Sequence, residues 1–334
     1  MGEIDFLTIL RTLQIRSEPP FTTEGFNLPI NALPKQYIDG TLRVDGGRRC
    51  HLEYTKVQGR GGYGLVYLGK RKDCSGATVD VCIKISHISK HSLGPEALIQ
   101  SLAYLALQRA GIHGAVPKVY DIFQYAGDIR FSMSFIQGTR SIDYILESSD
   151  PEIALLQILA QVSLILAFLE DTIHLDHRDL KADNIWIRYV PVIYSLRIGD
   201  KLWRLQAPFQ VVLLDFGFSC LGNRENHAVV SLSDGILPLV DPCPKEGRDL
   251  FQFLSSLWSI PQIRAAIGPV LAADIELLLS YKNKPYSNLV TRATDVHWVY
   301  LLVSDRQFHH PPLHPISLLE HMSIKYPQLK IQRE

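Results

Sequence analysis

The stretch HRDLKADN, residues 177–184, decides the fold assignment of this chain. Asp179 and Asn184 are five positions apart, which lets a carboxylate receive a hydroxyl proton while an amide oxygen binds a metal nearby. Lys181 lies between them and can neutralise the charge that develops on a transferred phosphoryl group. The pattern therefore predicts phosphoryl-transfer chemistry.

A second motif, DFG at residues 215–217, directly follows the apolar run VVLL. A buried strand that delivers an aspartate into a glycine-containing turn is a good anchor for magnesium, which prefers oxygen ligands. Asn184 and Asp215 are therefore the candidate metal ligands.

Two further motifs precede the first. GRGGYGLV, residues 59–66, lies between two β-type runs, and the strand that follows it excludes a dinucleotide-binding turn, which needs a helix. A glycine-rich hairpin lets backbone N–H groups approach phosphates. VCIK, residues 81–84, ends a hydrophobic strand with a lysine that can hold phosphate oxygens. An ordinary glycine turn and a solvated lysine remain the alternatives.

The hydrophobic patterns divide the chain into a β-rich part and a helical part, which predicts an α+β fold. Prolines and a Gly-Gly pair interrupt the first segment, which we interpret as an extension, and one helix is expected at about 95–110 among the strands. The predicted segments are an extension at 1–50, a β-rich lobe at 51–136 and a larger, mainly helical lobe at 137–334. Two runs around Gly199-Asp200 predict an inserted hairpin near 189–210.

Composition excludes several classes of protein. The 334 residues carry 34 basic and 34 acidic side chains, a zero net charge that argues against nucleic acid as a partner. Five scattered cysteines without a CxxC pair predict neither a disulfide scaffold nor a zinc ribbon and favour a reducing compartment. The start resembles no targeting signal, and the polar interruptions of the apolar run 153–169 predict a buried helix rather than a membrane span.

Taken together and in this order, the motifs resemble those of eukaryotic-type protein kinases over about residues 52–325. The resemblance implies a two-lobed protein-kinase-like fold, ATP and Mg²⁺ as cofactors, and a protein substrate. A lysine at position 181 resembles the serine/threonine branch of these enzymes. An intracellular location, cytoplasmic or nuclear, follows as an expectation, and the oligomeric state stays open.

The resemblance also implies roles for individual residues. The catalytic residues would be Asp179 as the base, with Lys181, Lys84 and Glu96. The ATP-binding residues would be Gly59, Gly61, Gly64, Val66, Cys82, Lys84, Met133 and Trp186. Asn184 and Asp215 would bind the metal, and His177, Arg178 and Asp249 would be scaffold residues.

Some features depart from ordinary kinases. No APE motif occurs between Gly217 and Asp249, which puts peptide docking and conventional control of the activation segment in doubt. Glu96 follows Lys84 by only 12 positions, a short spacing for their expected ion pair. The inserted hairpin, DFGFS, the PKVYDIF strand and the missing APE together resemble kinases of large DNA viruses, which would place the chain in an infected host cell.

Trp186 lies where related kinases usually have a small aliphatic residue. We expect its indole to face the adenine site, with Val66 and Cys82 on the opposite side of the base. The alternative is that Trp186 faces the helical core and that Ile185 or Ile187 meets the base.

Two other functions share these motifs in part. A small-molecule kinase of the aminoglycoside or choline type would also have an H-x-D-x-x-x-x-N loop and no APE motif. A pseudokinase scaffold would have the fold without turnover, although every expected catalytic residue is present.

Overall fold

The computed structural model describes residues 28, 30, 33–43, 49–61, 64–86, 93–222, 228–231, 242–290 and 297–334. The chain divides into two compact units. Unit 1 consists of the described residues of Met1–Leu105 together with Val116–Ile136. Unit 2 consists of Ala106–Ala115 together with the described residues of Gln137–Glu334.

Unit 1 is built on a closed sheet of seven strands in the order β1-β2-β3-β4-β5-β7-β6. The strands are β1 (Lys35–Gln36), β2 (Thr41–Arg43), β3 (Arg49–Arg60), β4 (Gly64–Lys72), β5 (Thr78–Ser86), β6 (Val119–Tyr125) and β7 (Asp128–Ser134). Val81, Ile83 and Phe123 pack inside this sheet with Leu42, Cys50 and Leu52. Each of the five longer strands contains β-branched or aromatic residues, which fit a pleated surface.

The predicted boundary at residue 50 is not a boundary of the sheet. Lys35 pairs with Arg43 in β2 and also, in parallel, with Gln124 in β6, which closes the sheet. The Gln124 side chain donates to the carbonyls of Ile30 and Leu33. These short strands cover the edges of β3 and β6, whose backbone groups would otherwise be unpaired. Of the residues that suggested an extension, Pro34 directly precedes β1, whereas Pro19, Pro20, Gly46 and Gly47 lie outside the described residues.

Helix α1 (Gly94–Arg109) follows β5 and occupies the expected position. Leu98, Leu102 and Ala106 are buried at helical spacing, as the sequence pattern predicts. Gln100 donates to the carbonyl of Pro117 at 2.9 Å, which attaches the helix to the start of β6.

Unit 2 contains most of the helices that the structure describes. They are α2 (Ser141–Glu147), α3 (Pro151–Ile173), α4 (Arg248–Trp258), α5 (Pro261–Ala266), α6 (Pro269–Leu278), α7 (Tyr286–Val290), α8 (His297–Ser304) and α9 (Pro315–Lys325). Its strands are β8 (Thr139–Arg140), β9 (Leu175–Asp176), β10 (Ile185–Arg188), β11 (Val192–Ile198), β12 (Lys201–Ala207), β13 (Gln210–Leu213), β14 (Cys220–Gly222), β15 (Ala228–Ser231) and β16 (Gln332–Arg333).

Helix α3 is the core helix of unit 2. Asp150 caps its start by accepting from the backbone N–H of Ile153, and Pro151 occupies the first turn, where its missing N–H costs nothing. By length and composition this helix could cross a membrane, but 83% of its most apolar window is buried inside the protein. The burial matches the core helix predicted from its polar interruptions.

The insertion after β10 is a β-hairpin. β11 and β12 pair in antiparallel register, with Ile198 opposite Lys201 across a turn that contains Gly199 at φ 58°. Tyr194 donates its hydroxyl to the side-chain oxygen of Gln161 on α3 at 3.0 Å. That oxygen also accepts from the backbone N–H of Val211, so a polar residue of the apolar helix holds both the hairpin and β13.

Candidate functional site

The loop that contains HRDLKADN begins directly after β9 and is fixed by the first turn of α4. Asp249 accepts from the backbone N–H groups of His177 at 2.6 Å and Arg178 at 2.7 Å. Gln252, one turn further along α4, donates to the carbonyl of Arg178. Burial raises the pKa of the Asp249 carboxyl, and the charge of neighbouring Asp176 adds to the effect. This geometry fits the bracing role that the kinase resemblance implied for Asp249.

A buried ion pair lies beside this brace. Arg248 holds Asp176 through its Nε at 2.9 Å and its Nη2 at 2.5 Å, and the two side chains are only 1% and 3% exposed. Burial alone would raise the pKa of Asp176, but the charge of Arg248 lowers it below its ordinary value. Asp176 is therefore ionised at neutral pH, immediately before the catalytic loop.

His177 connects the catalytic loop to the DFG motif. Burial lowers the pKa of its imidazole, so the ring is neutral at pH 7. Its Nε2 lies 3.0 Å from the carbonyl oxygen of Leu214, which makes Nε2 the protonated, donating nitrogen. The ring also packs against Phe216 with 5.0 Å between ring centroids. These contacts position Asp215, which lies between Leu214 and Phe216.

Asp179 is surrounded by hydrogen-bond donors from its own loop. Lys181 Nζ lies 3.0 Å from its Oδ2, and Asn184 donates from Nδ2 to the Asp179 carbonyl at 2.7 Å and to Oδ2 at 3.2 Å. The carboxylate side chain is only 6% exposed. The structure thus brings together three of the residues that the sequence had placed in one loop.

A third side chain that donates to Asp179 comes from a distant part of the chain. Tyr300, on α8, donates its hydroxyl to Asp179 Oδ1. No motif indicated this residue, since 121 positions separate the two side chains. Sequence reasoning therefore missed Tyr300.

Strand pairing brings the two candidate metal ligands to the same end of one ladder. β10 and β13 are antiparallel, with Ile185 opposite Leu213, so Asn184 directly precedes the ladder and Asp215 follows it. The backbone N–H of Leu214 donates to the carbonyl of Asn184 at 2.9 Å. The hairpin therefore lengthens the connection between the two ligands without separating them.

The chemistry of this pair fits magnesium. Asn184 uses its amide nitrogen within the catalytic loop, which leaves the amide oxygen as the ligand atom. Asp215 is exposed and has φ 62°, a left-handed conformation that aspartate tolerates better than most residues. One or two protein oxygens together with substrate phosphates are a usual Mg²⁺ site. Among the residues that the structure describes, no group of three His, Cys, Asp or Glu side chains could hold a metal ion.

In unit 1, Lys84 forms the ion pair that the sequence predicted with Glu96. Lys84 Nζ lies 2.6 Å from Glu96 Oε1, and the two side chains are 12% and 2% exposed. Twelve positions between the two residues are enough for this ion pair because Glu96 lies in the first turn of α1.

Strand register places the other predicted nucleotide residues of unit 1 beside Lys84. Val66 is opposite Lys84 across β4 and β5, and Met133 is opposite Cys82 across β5 and β7. Cys82 and Lys84 are two positions apart, so all four side chains belong to one face of the sheet. Burial raises the pKa of the Cys82 thiol to about 11, which keeps it protonated.

The glycine motif spans the turn between β3 and β4. Gly61 donates its N–H to the carbonyl of Gly64 at 2.9 Å. A Cβ at position 64 would lie 2.6 Å from the carbonyl oxygen of Ile85, so only glycine fits there. Around Gly59 there is open space instead. The sequence pattern correctly indicated a glycine hairpin rather than a strand-to-helix turn.

Trp186 lies on the face of β10 opposite the helical core. Ile185 and Ile187 are fully buried, whereas Trp186 and Arg188 are only partly buried. Ile185 and Ile187 therefore occupy the core positions of β10, which favours an outward-facing Trp186, and its place beside the adenine stays a prediction.

Cys220 and Cys243 form a disulfide across the segment that follows the DFG motif. The sequence analysis predicted no disulfide scaffold, and this single bond is a feature that it did not predict. Cysteine spacing could not have indicated the pairing, because connectivity is not readable from spacing alone. Cys50, Cys74 and Cys82 are free thiols.

These arrangements, a braced H-R-D loop, a DFG turn beside its asparagine and a lysine–glutamate pair, define a protein kinase-like phosphotransferase. A family model described as protein tyrosine and serine/threonine kinase matches residues 52–234, more than half of the chain. The chain therefore belongs to the protein tyrosine and serine/threonine kinase family, whose fold has two lobes. No curated protein matches the chain.

Proposed function

We propose that this chain transfers the γ-phosphoryl group of ATP to serine and threonine hydroxyls of proteins in a Mg²⁺-dependent reaction. The observation that supports it most is the catalytic loop, in which Asp179 is bonded to Lys181 and Asn184 and the backbone is held by Asp249. The family includes kinases of both hydroxyl classes, and Lys181 is the residue that favours serine and threonine.

Because the transition state of phosphoryl transfer is loose, the residues of the site act by positioning the reactants and by neutralising charge. Asp179 orients the acceptor hydroxyl and accepts its proton. Lys181 lies beside the same carboxylate and neutralises charge on the moving phosphoryl group. In unit 1, Lys84 holds phosphate oxygens, and Glu96 fixes its ammonium group.

Asn184 and Asp215 would hold magnesium through their side-chain oxygens. The ion neutralises negative charge on the phosphate oxygens when it is bound. The β10–β13 ladder keeps the two ligands at one end, and His177 keeps the DFG turn in place through Leu214.

The test is incubation of the full chain with labelled ATP, Mg²⁺ and generic protein acceptors, followed by phosphoamino-acid analysis of the acceptors. Label on serine or threonine supports the proposal. Label on tyrosine alone would contradict the specificity, and ATP binding without any transfer would favour the pseudokinase scaffold. Transfer only to small molecules would favour the aminoglycoside or choline type of kinase.

Trp186→Leu tests the nucleotide role of this residue. We expect weaker or altered ATP affinity, because an aromatic ring stacked on a base contributes on the order of 0.5–1.5 kcal/mol beyond burial. The loss of stability should be modest, since the indole lies outside the helical core. ATP titration and thermal unfolding of the same sample measure the two effects.

Trp203→Leu is the matched control, because Trp203 is fully buried in the hairpin. It should lower the free energy of unfolding by on the order of 2–4 kcal/mol with unchanged ATP affinity. The opposite pattern, with normal ATP binding and early melting for Trp186→Leu, would show that Trp186 has a packing role instead.

We also propose a group of kinases to which the chain belongs. The hairpin, DFGFS, the PKVYDIF strand and the missing APE motif support a place among the kinases of large DNA viruses. An intracellular location, cytoplasmic or nuclear and in an infected host cell, goes with that placement.

A further inference from the structure

We propose that Tyr300 is a self-phosphorylation site, with its phenolic hydroxyl in the acceptor position of the chain's own catalytic loop. The inference deepens the proposed function and rests on it, because it requires ATP as the phosphoryl donor. It extends the acceptor class from aliphatic hydroxyls to a tyrosine within the chain.

The first argument is the direction of the hydrogen bond. Tyr300 Oη donates to Asp179 Oδ1, and a substrate hydroxyl must make this same contact with the catalytic aspartate. Lys181 Nζ lies nearer to Oδ2 of the same carboxylate than to Oδ1, at 3.0 and 3.4 Å, and Asn184 donates to Oδ2 at 3.2 Å. Tyr300 therefore contacts the carboxylate oxygen that the loop engages less closely.

The second argument is that the helix carrying Tyr300 is held in place. Lys245, a buried residue just before α4, donates from Nζ to the carbonyls of Val303 at 2.9 Å and Asp305 at 3.2 Å. These carbonyls lie at the C-terminal end of α8, where a cation is favourable. Val299 and Val303 are buried on the inner side of the helix. Tyr300, one turn before the anchored end, thus reaches Asp179 from a fixed backbone.

The chemical step balances with the residues present and ATP. Asp179 takes the phenolic proton as the Tyr300 oxygen forms a bond to the γ-phosphorus. The bond between that phosphorus and its bridging oxygen breaks, and ADP leaves with the electron pair. A phenol is more acidic than an aliphatic hydroxyl, so it can give its proton to Asp179 in this step.

The product should not stay where the tyrosine was. A phosphotyrosine carries a charge of about −1.5 to −2 at pH 7 and would repel the buried Asp179 carboxylate. Self-phosphorylation would therefore move Tyr300 away from Asp179 and leave the acceptor position open for an outside hydroxyl.

The experiment maps phosphate on the full chain after incubation with ATP and Mg²⁺, over a wide range of protein concentrations and with a protein acceptor present. We expect phosphate on the peptide that contains Tyr300, at a fractional rate independent of protein concentration because the transfer is intramolecular. Tyr300→Phe should lack that label. Tyr189→Phe, which changes an exposed tyrosine of the same unit, should keep it.

Three results separate failure of this inference from failure of the proposed function. A labelled outside acceptor with unmodified Tyr300 would overturn the inference. If Tyr300→Phe then transferred phosphate to the outside acceptor faster than the unsubstituted chain, the Tyr300–Asp179 contact would be inhibitory. A rate of Tyr300 labelling that rises with protein concentration would overturn intramolecular transfer. No label on the acceptor or on the chain would contradict the proposed function itself.

Discussion

Asp215→Asn is expected to remove most phosphoryl transfer while leaving the fold intact. The substitution replaces a charged magnesium ligand by a neutral one of the same shape. Loss of several kcal/mol of transition-state charge stabilisation corresponds to a rate reduction on the order of 100-fold or more, since each 1.4 kcal/mol is about tenfold. The transfer rate at saturating ATP, measured over a range of Mg²⁺ concentrations, tests this.

The fold should tolerate this change for two reasons. Asp215 is exposed, and substitutions at exposed positions usually change stability by less than about 0.5 kcal/mol. Its left-handed backbone, at φ 62°, suits asparagine as well as aspartate. The melting temperature should therefore stay near that of the unsubstituted chain.

Asp183→Asn is the matched control. Asp183 precedes Asn184 directly, but its carboxylate is 62% exposed and lies 3.8 Å from Arg140. The same change of charge at this neighbouring position should leave transfer nearly unchanged. Equal losses in both variants would indicate a general charge effect, and near-normal transfer by Asp215→Asn would contradict its role as a metal ligand.

The parts of the site that the sequence predicted are those fixed by local spacing. The catalytic loop places Asp179, Lys181 and Asn184 within eight consecutive residues, so a single stretch determines their geometry. Lys84 and Glu96 are close in sequence because α1 begins only eight positions after the end of β5. Asp249 was recognised through resemblance, and its two hydrogen bonds to the loop supply the physical reason.

The parts that the sequence did not reveal depend on long-range contacts. No spacing rule links Tyr300 to Asp179 across 121 positions, and none pairs Cys220 with Cys243. The strands at residues 35–43 are too short for a periodic signal, and they exist because neighbouring strand edges need partners. These features follow from the packing of the whole chain.

Arg248→Met should cause the largest loss of stability. The substitution removes the arginine that pairs with Asp176 and leaves a buried carboxylate that keeps the backbone N–H of Lys245 as a donor and the charge of Arg178. Breaking a buried pair in this way costs about 3–5 kcal/mol, because the remaining charge has lost both its hydration and its partner. Arg248 also donates to the carbonyl of Pro242 at 2.7 Å, so a second buried acceptor loses a bond. Urea unfolding of the variant and the unsubstituted chain measures the difference.

Arg204→Met is the control, because it removes an arginine ion pair that is exposed and not buried. Arg204 and Glu334 are 2.8 Å apart, close to the Arg248–Asp176 distance, but their side chains are 46% and 54% exposed. Exposed pairs contribute only about 0–1 kcal/mol, so this variant should unfold almost normally. Combining Asp176→Asn with Arg248→Met should recover part of the lost stability, since the double variant no longer buries an unpaired charge.

The pH dependence of Arg248→Met separates charge burial from lost packing. In the unsubstituted chain the pKa of Asp176 is below its ordinary 3.8, so its stabilising effect is complete above that value and is lost only as pH falls through the lower folded-state pKa. Without Arg248, burial raises that pKa, and the folded variant then binds a proton more tightly than the unfolded chain. Its deficit should therefore shrink as pH falls from 7 towards the ordinary aspartate value of 3.8. A deficit that stays constant over this range would mean that Arg248 stabilises the protein through packing and not by compensating Asp176.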